Sequence, residues 1–198
     1  MRNDFFNFNN ADEQRDASVF PPGAYRLRAQ VKLFNGDRDY PLRPAKNGRT
    51  EMLDLELTVV GGEHSGRKIR DLITVGFDDS ESNDPDIMPV DPDQAERYRT
   101  AVRIGRSKLR AILESAHAIS PNDHSDQANE KRRIKSWLDF DGLEFWAWVD
   151  IKAGTNGYRD RNEITFVITP GSPEWPRQTA RQRQVVPLAK ELNDETPF

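Results

Sequence analysis

Strict alternation of apolar and polar side chains is the feature that most constrains how this chain can fold. Over residues 25–32 every second residue is apolar, and Arg26, Arg28 and Lys32 occupy intervening positions. Successive side chains of a β-strand point to opposite faces, so this period of two predicts a strand with one apolar and one basic face. Residues 53–59 alternate in the same way and predict a second strand.

The same alternation predicts three more strands along the chain. They lie at 67–77, at 145–151 and at 162–170, and turn residues separate them. In the fourth strand the residues facing away from the apolar side include two tryptophans, Trp146 and Trp148. In the last strand the alternation places three apolar residues on one side: Ile164, Phe166 and Ile168.

A single amphipathic helix is predicted between the third and fourth strands, from Gln94 to Ala118. Its apolar residues recur at the spacing of a helical stripe. Asp93, with Glu96 three residues later, is expected to cap its first turn as a capping box. The many basic residues lie mostly off the apolar stripe, and we interpret them as a solvated face rather than a phosphate track.

Three strands, a helix and two strands is the order of an OB-fold. We therefore predict a mainly β protein: a five-stranded OB-fold-like barrel with one helix between strands 3 and 4, and a disordered C-terminal tail. A split α+β sheet is the alternative. The expected organisation is an N-terminal arm at 1–20, the barrel domain at 21–170 and a flexible tether with an acidic tip at 171–198. Within the domain we expect an acidic loop at 76–93 and a polar insertion at 120–135.

Composition narrows the classes of function. The chain has no cysteine, and its three histidines lack metal-ligand spacing, so we expect no metal site and no cofactor. Neither a secretory signal nor a membrane-spanning apolar run is present, which predicts a cytoplasmic protein with no membrane partner. The net charge is −4, but residues 97–135 carry ten bases and four acids, so phosphate affinity of a local surface is not excluded.

Binding of single-stranded DNA is the function that the pattern favours. Such proteins combine cationic grooves with aromatic rings on which bases stack. Core packing of the two tryptophans, and pairing of the first strand's arginines with Asp54 and Glu56, are the structural alternatives. The candidate DNA-binding residues lie on the first and fourth strands and in the loops that follow them: Arg26, Arg28, Lys32, Arg43, Lys46, Arg49, Trp146, Trp148, Lys152, Tyr158, Arg159 and Arg161.

An enzyme is not predicted, and no catalytic residue is assigned. The nucleophile-elbow, Walker A and dinucleotide-binding motifs are absent from the sequence. The alternative in this class is a magnesium-dependent nuclease of phage recombination, for which Asp54, Glu56, Asp71 and Asp150 are the candidate carboxylates. A third possibility is an adaptor that binds only proteins.

The last residues, NDETPF, resemble the acidic C-terminal tip of bacterial and phage single-stranded-DNA-binding proteins. This resemblance implies that Asp194, Glu195, Pro197 and Phe198 recruit replication, recombination and repair proteins in a bacterial host cell, and that the protein forms homo-oligomers. The motifs FNFNNA, PPGAYRLR, GGEHSGRKIRDLI and IGRSKLRAILESA are similar to those of an uncharacterised phage and prophage family associated with recombination.

Overall fold

The computed structural model of the chain describes residues 18–79, 91–155 and 157–176. It contains six strands, two α-helices and two short 3-10 turns. The strands are β1 (Gly23–Val31), β2 (Arg43–Pro44), β3 (Thr50–Val59), β4 (Lys68–Phe77), β5 (Glu144–Lys152) and β6 (Arg161–Ile168). The helices are α1 (Pro92–Ala116) and α2 (Asp126–Lys131), and the 3-10 turns are Phe34–Gly36 and Trp137–Phe140.

All strand pairings are antiparallel and form one sheet. β3 pairs with both β1 and β4, β1 also pairs with β5, and β5 pairs with β6. Among the described residues, β4 and β6 have no backbone ladder between them, so the predicted closure of the barrel is not found. Residues 18–20 and α1 lie beside these two strands instead. The Asn162 side-chain amide accepts a hydrogen bond of 2.9 Å from the Phe20 N–H and donates one of 2.8 Å to the Phe20 carbonyl oxygen.

The predicted strand number is wrong by one. β2 is a two-residue strand inside the loop that follows β1, paired with Glu51 and Met52 of β3. Asn47 accepts hydrogen bonds from the backbone N–H groups of Arg49 and Thr50 and so tightens the turn between β2 and β3. This hairpin contains no apolar alternation, so the sequence carries no signal for it.

The core lies on the inner face of the curved sheet, where the alternation placed it. Inward residues of β1 and β3 such as Leu27, Leu53 and Leu57 have no exposed surface. α1 packs on β4, β5 and β6 and contributes Leu109 and Ile112 to the same core. Burial of each such side chain stabilises the fold by about 2 kcal/mol, which explains why the alternation was a reliable guide.

α1 differs in detail from the predicted helix, and α2 was not predicted. α1 begins at Pro92 because Asp91, rather than Asp93, accepts the N-cap hydrogen bond from the Gln94 N–H at 2.8 Å. Proline suits this first turn because its missing N–H would have no helical partner there. The polar insertion contains α2, which Ser125 caps. Neither helix is long and apolar enough to cross a membrane, judged over the described residues.

Candidate functional site

The outer face of β5 carries the two tryptophans. Phe145, Ala147 and Val149 point into the core, so Trp146 and Trp148 lie on the opposite side of the sheet. Both side chains are partly buried, which lies between the two alternatives considered from the sequence, core packing and exposure for base stacking. Neither is enclosed in the core, and neither is fully exposed.

A third aromatic residue, Phe166 of β6, joins these tryptophans. Its ring stacks on that of Trp148 with the planes 3° apart and the centroids separated by 6.2 Å. Phe166 is 41% exposed, and Ala24, opposite Trp148 on β1, carries only a methyl group. We call Trp146, Trp148 and Phe166 the aromatic platform.

The sequence placed Phe166 on the same side as Ile164, and this is wrong. A register shift between Trp148 and Val149 leaves Thr165 without a partner on β5, so Ile164 pairs with inward Val149 whereas Phe166 pairs with outward Trp148. A bulge of this kind changes the face on which the following residues lie. Simple alternation does not reveal it, which is why Phe166 was missed.

Cationic side chains border the aromatic platform on β1. Arg26 lies directly opposite Trp146 in the strand register. Arg26 and Arg28 both contact the carboxylate of Glu144, at 2.7 and 2.5 Å. The alternative pairing with Asp54 and Glu56 is wrong, because those two carboxylates bind cations of other strands.

Asp54 and Glu56 face β4 rather than β1. Asp54 is buried although it lies on the outer face, because the Arg70 guanidinium forms a two-pronged contact with it, through Nε at 2.9 Å and through Nη2. This hydrogen bond raises the pKa of Arg70 above its ordinary value, so its charge is permanent. Lys68 pairs with Glu56 at 2.5 Å.

A repeated arrangement emerges, in which one carboxylate lies between two cations. Glu144, Asp54 and Glu163 are the three carboxylates of this kind. The side chains of their cations are between 45 and 68% exposed. Glu144 contacts Arg26 and Arg28, Asp54 contacts Arg43 and Arg70, and Glu163 contacts Lys152 and Arg161. Each group keeps a net positive charge. The pairs of Glu144 and Glu163 are accessible to solvent and contribute only about 0–1 kcal/mol each, so an incoming phosphate can displace these two carboxylates at little cost. Asp54 is buried and stays paired, so a phosphate at this group would bind the exposed parts of Arg43 and Arg70 beside it.

A cleft of about 700 Å³ lies where the β4 and β6 edges begin. We call it the seam cleft. Its walls carry Arg67, Lys68, Arg70 and Arg161, with Asp160 as the acidic residue among them. Arg67 also lies over the Phe20 ring, 5.8 Å from its centroid. Lys68 and Arg70 were not among the predicted site residues, although their alternation with Ile69 places them on the outer face.

The remaining predicted cations occupy the loops. Lys32, Lys46 and Arg159 are exposed, and Tyr158 is 80% exposed at the tip of the β5–β6 hairpin. Arg49 differs from these, since it is only 6% exposed and donates to the Asp78 carbonyl oxygen at 3.3 Å. Arg49 therefore supports the loop after β1 and is not offered to a ligand. The predicted partner-binding residues Asp194, Glu195, Pro197 and Phe198 lie outside the described residues.

Three of the four carboxylates considered for nuclease chemistry lie in ion pairs, whereas Asp150 is exposed and accepts a hydrogen bond of 2.7 Å from the Ile151 N–H. Besides Asp54 and Glu56, Asp71 has its Oδ2 atom 2.6 Å from the Lys108 Nζ atom. Over the described ranges, no group of three or more histidine, aspartate or glutamate side chains is placed to hold a metal ion. No observation here favours the nuclease hypothesis.

Comparison with known proteins adds no assignment. No protein-family model matches the chain, and no curated protein matches it either.

Proposed function

We propose that this chain is a non-catalytic single-stranded-DNA-binding protein of the phage or prophage type. The observation that carries the proposal is the aromatic platform with Arg26, Arg28 and Glu144 beside it, on an outer sheet face where cations outnumber each of the three shared carboxylates two to one. Rings supply stacking surfaces that accept any base, and cations neutralise the backbone without reading sequence. Such a surface favours unpaired strands, whose bases are free to stack.

The fold supports the same proposal. The pairings β1–β3, β3–β4, β1–β5 and β5–β6, with α1 between β4 and β5, follow the OB-fold order, and OB-folds are partly open barrels. We infer that the sheet is an OB-fold-like barrel whose seam between β4 and β6 is open. The loops that follow β1 and β5 are those with which OB-folds bind nucleic acids.

Recruitment of replication and recombination proteins is proposed for residues 191–198. This part of the proposal rests on the resemblance of their sequence alone. A pull-down with the 191–198 peptide, compared with a Phe198→Ala peptide, tests it. If both peptides capture every host protein equally well, the proposed recruitment by residues 191–198 is wrong.

Tryptophan fluorescence tests the DNA-binding proposal. The chain has four tryptophans, two of them on the aromatic platform, so oligo-dT should quench the emission. If each of the three cation groups binds about one phosphate, log affinity should fall with log salt with a slope of about −2. A rise from about 50 to about 200 mM salt should then weaken binding roughly 20-fold.

Phe166→Leu is the sharpest variant because it leaves every tryptophan in place as a reporter. Loss of one stacked base costs about 1–3 kcal/mol, so affinity should fall at least fivefold. Tyr98→Leu, which removes a ring on α1 that contacts Phe77, is the matched control and should bind as the parent does. Absence of quenching and of any measurable binding by the parent at low salt would refute the proposal and favour a protein-only adaptor.

A further inference from the structure

A straight row of arginines follows the solvent side of α1. Arg99, Arg103, Arg106 and Arg110 succeed one another at intervals of four, three and four residues. These are the intervals at which side chains of a helix lie above one another. Together with Val102 and Ser107 they line a shallow groove of about 440 Å³. We call these four residues the arginine row.

Within the described ranges, the middle of the arginine row is left available to a ligand. Arg103 is exposed and has no hydrogen-bond or ion-pair partner among the described residues. Arg106 donates only its Nε–H, to the Val75 carbonyl oxygen at 3.1 Å, which fixes the side chain and leaves both terminal amino groups available. A guanidinium held in this way is preorganised to bind a phosphate.

The two ends of the arginine row are held by acids. At the first end Arg99 contacts Asp79 at 2.8 Å. At the other, Arg110 contacts the buried carboxylate of Glu114 at 2.8 Å, but Arg132 contacts the same oxygen at the same distance. Glu114 therefore neutralises only one of these two arginines, and the arginine row keeps a net positive charge from Arg103 onwards.

The C-terminal end of α1, just beyond the arginine row, is anchored to β5 through the buried side of the helix. One turn beyond Arg110, the Ser115 hydroxyl accepts a hydrogen bond of 2.9 Å from the backbone N–H of Trp146. The helix is thus fixed directly to the strand that carries the tryptophans. Its four arginines span roughly 16 Å at a rise of 1.5 Å per residue, in steps of about 5 Å along the helix axis.

We infer that α1 is a second phosphate-binding surface, along which a single strand leaving the aromatic platform continues with its backbone on Arg103 and Arg106. This inference rests on the proposed DNA-binding function and extends it. An acidic protein is the other polyanion that fits. It is disfavoured because Val102 is the one apolar residue lining the groove, whereas protein interfaces have an apolar centre.

Two lengths of oligo-dT separate the two surfaces. An OB-fold holds about 4–16 nucleotides, so an oligomer of about 6 should occupy the platform alone and one of about 20 should reach the helix. The double variant Arg103→Gln/Arg106→Gln should bind the short oligomer as the parent does and the long one at least tenfold more weakly. Loss of two phosphate contacts should also make the salt slope for the long oligomer shallower by about 1.4.

The matched control is Lys131→Gln/Arg133→Gln, which removes the same charge from exposed positions on and just after α2. It should reduce binding of the long oligomer less than twofold. Equal losses in both double variants, or no loss in either, would overturn the inference while leaving the platform proposal intact. If the parent binds neither oligomer, both proposals fail. If the arginine variant loses binding to poly-glutamate but not to the long oligomer, the partner is an acidic protein and the inference is wrong.

Discussion

Replacement of Gly105 by alanine tests how closely α1 is fixed to the sheet. A methyl group on Gly105 would lie 1.9 Å from the Thr74 carbonyl oxygen and 3.1 Å from the Ile73 Cγ2 atom. Because the nearest atom belongs to the backbone of β4, no side-chain rotation relieves the clash. The helix and the strand must separate by about 1.5 Å for the contact to reach an ordinary distance.

Two opposing effects set the magnitude. Overpacking of this kind costs about 3 kcal/mol, whereas alanine in place of glycine in a helix interior stabilises by about 1 kcal/mol. The expected net loss of about 2 kcal/mol corresponds to a fall in Tm of about 4–8 °C for a chain of this size. Thermal unfolding followed by circular dichroism measures it. Ser107→Ala, at an exposed position on the same helix, is the control and should not lower Tm. If Gly105→Ala is as stable as Ser107→Ala, the close approach of α1 to β4 is wrong, and so is the orientation of the arginine row that depends on it.

Three further predictions concern the supports of the site. Glu114→Gln removes a buried charge shared by Arg110 and Arg132 and should destabilise the protein by about 3 kcal/mol in denaturant unfolding. The control is Glu130→Gln, in an exposed pair with Arg133, which should change the free energy of unfolding by less than about 0.5 kcal/mol. Asn162→Ala removes both hydrogen bonds to the Phe20 backbone and should cost about 1–2 kcal/mol, with faster amide exchange at residues 18–20; unchanged exchange would contradict the anchoring role. Burial, aided by the charge of Glu63, raises the pKa of Tyr25 above its ordinary value of 10.0. The folded state therefore favours the neutral phenol, and the stability this contributes is complete below the ordinary pKa and is lost as the pH rises through the higher folded-state pKa. Tyr25→Phe should consequently lose less stability than the parent on alkaline titration.

Most of the sheet and the main helix could be predicted from the sequence. Period-two alternation is produced by a sheet with one buried face, and it correctly located the long strands. α1 was found because its apolar residues recur every three or four positions. The boundaries were less accurate, because either Asp91 or Asp93 can cap a helix and only the geometry decides between them.

The candidate site was predictable only in part. Trp146, Trp148, Arg26 and Arg28 lie on the outer face as expected, because alternation settles which face a residue occupies. Phe166 could not be found, since a bulge of one residue is invisible to alternation. The partners of the arginines depend on which strands are neighbours, and the sequence does not determine that Glu144 rather than Asp54 lies beside Arg26. The burial of Arg49 follows from the β2 hairpin, which has no sequence signal.

The most direct measurement is to photocross-link oligo-dT to the full chain and map the adducts by mass spectrometry. Thymine forms adducts with the aromatic side chains that it touches. We predict adducts on Trp146, Trp148 or Phe166, which competing unlabelled single strands should abolish. Specific adducts confined to residues outside β1, β5 and β6 would contradict it.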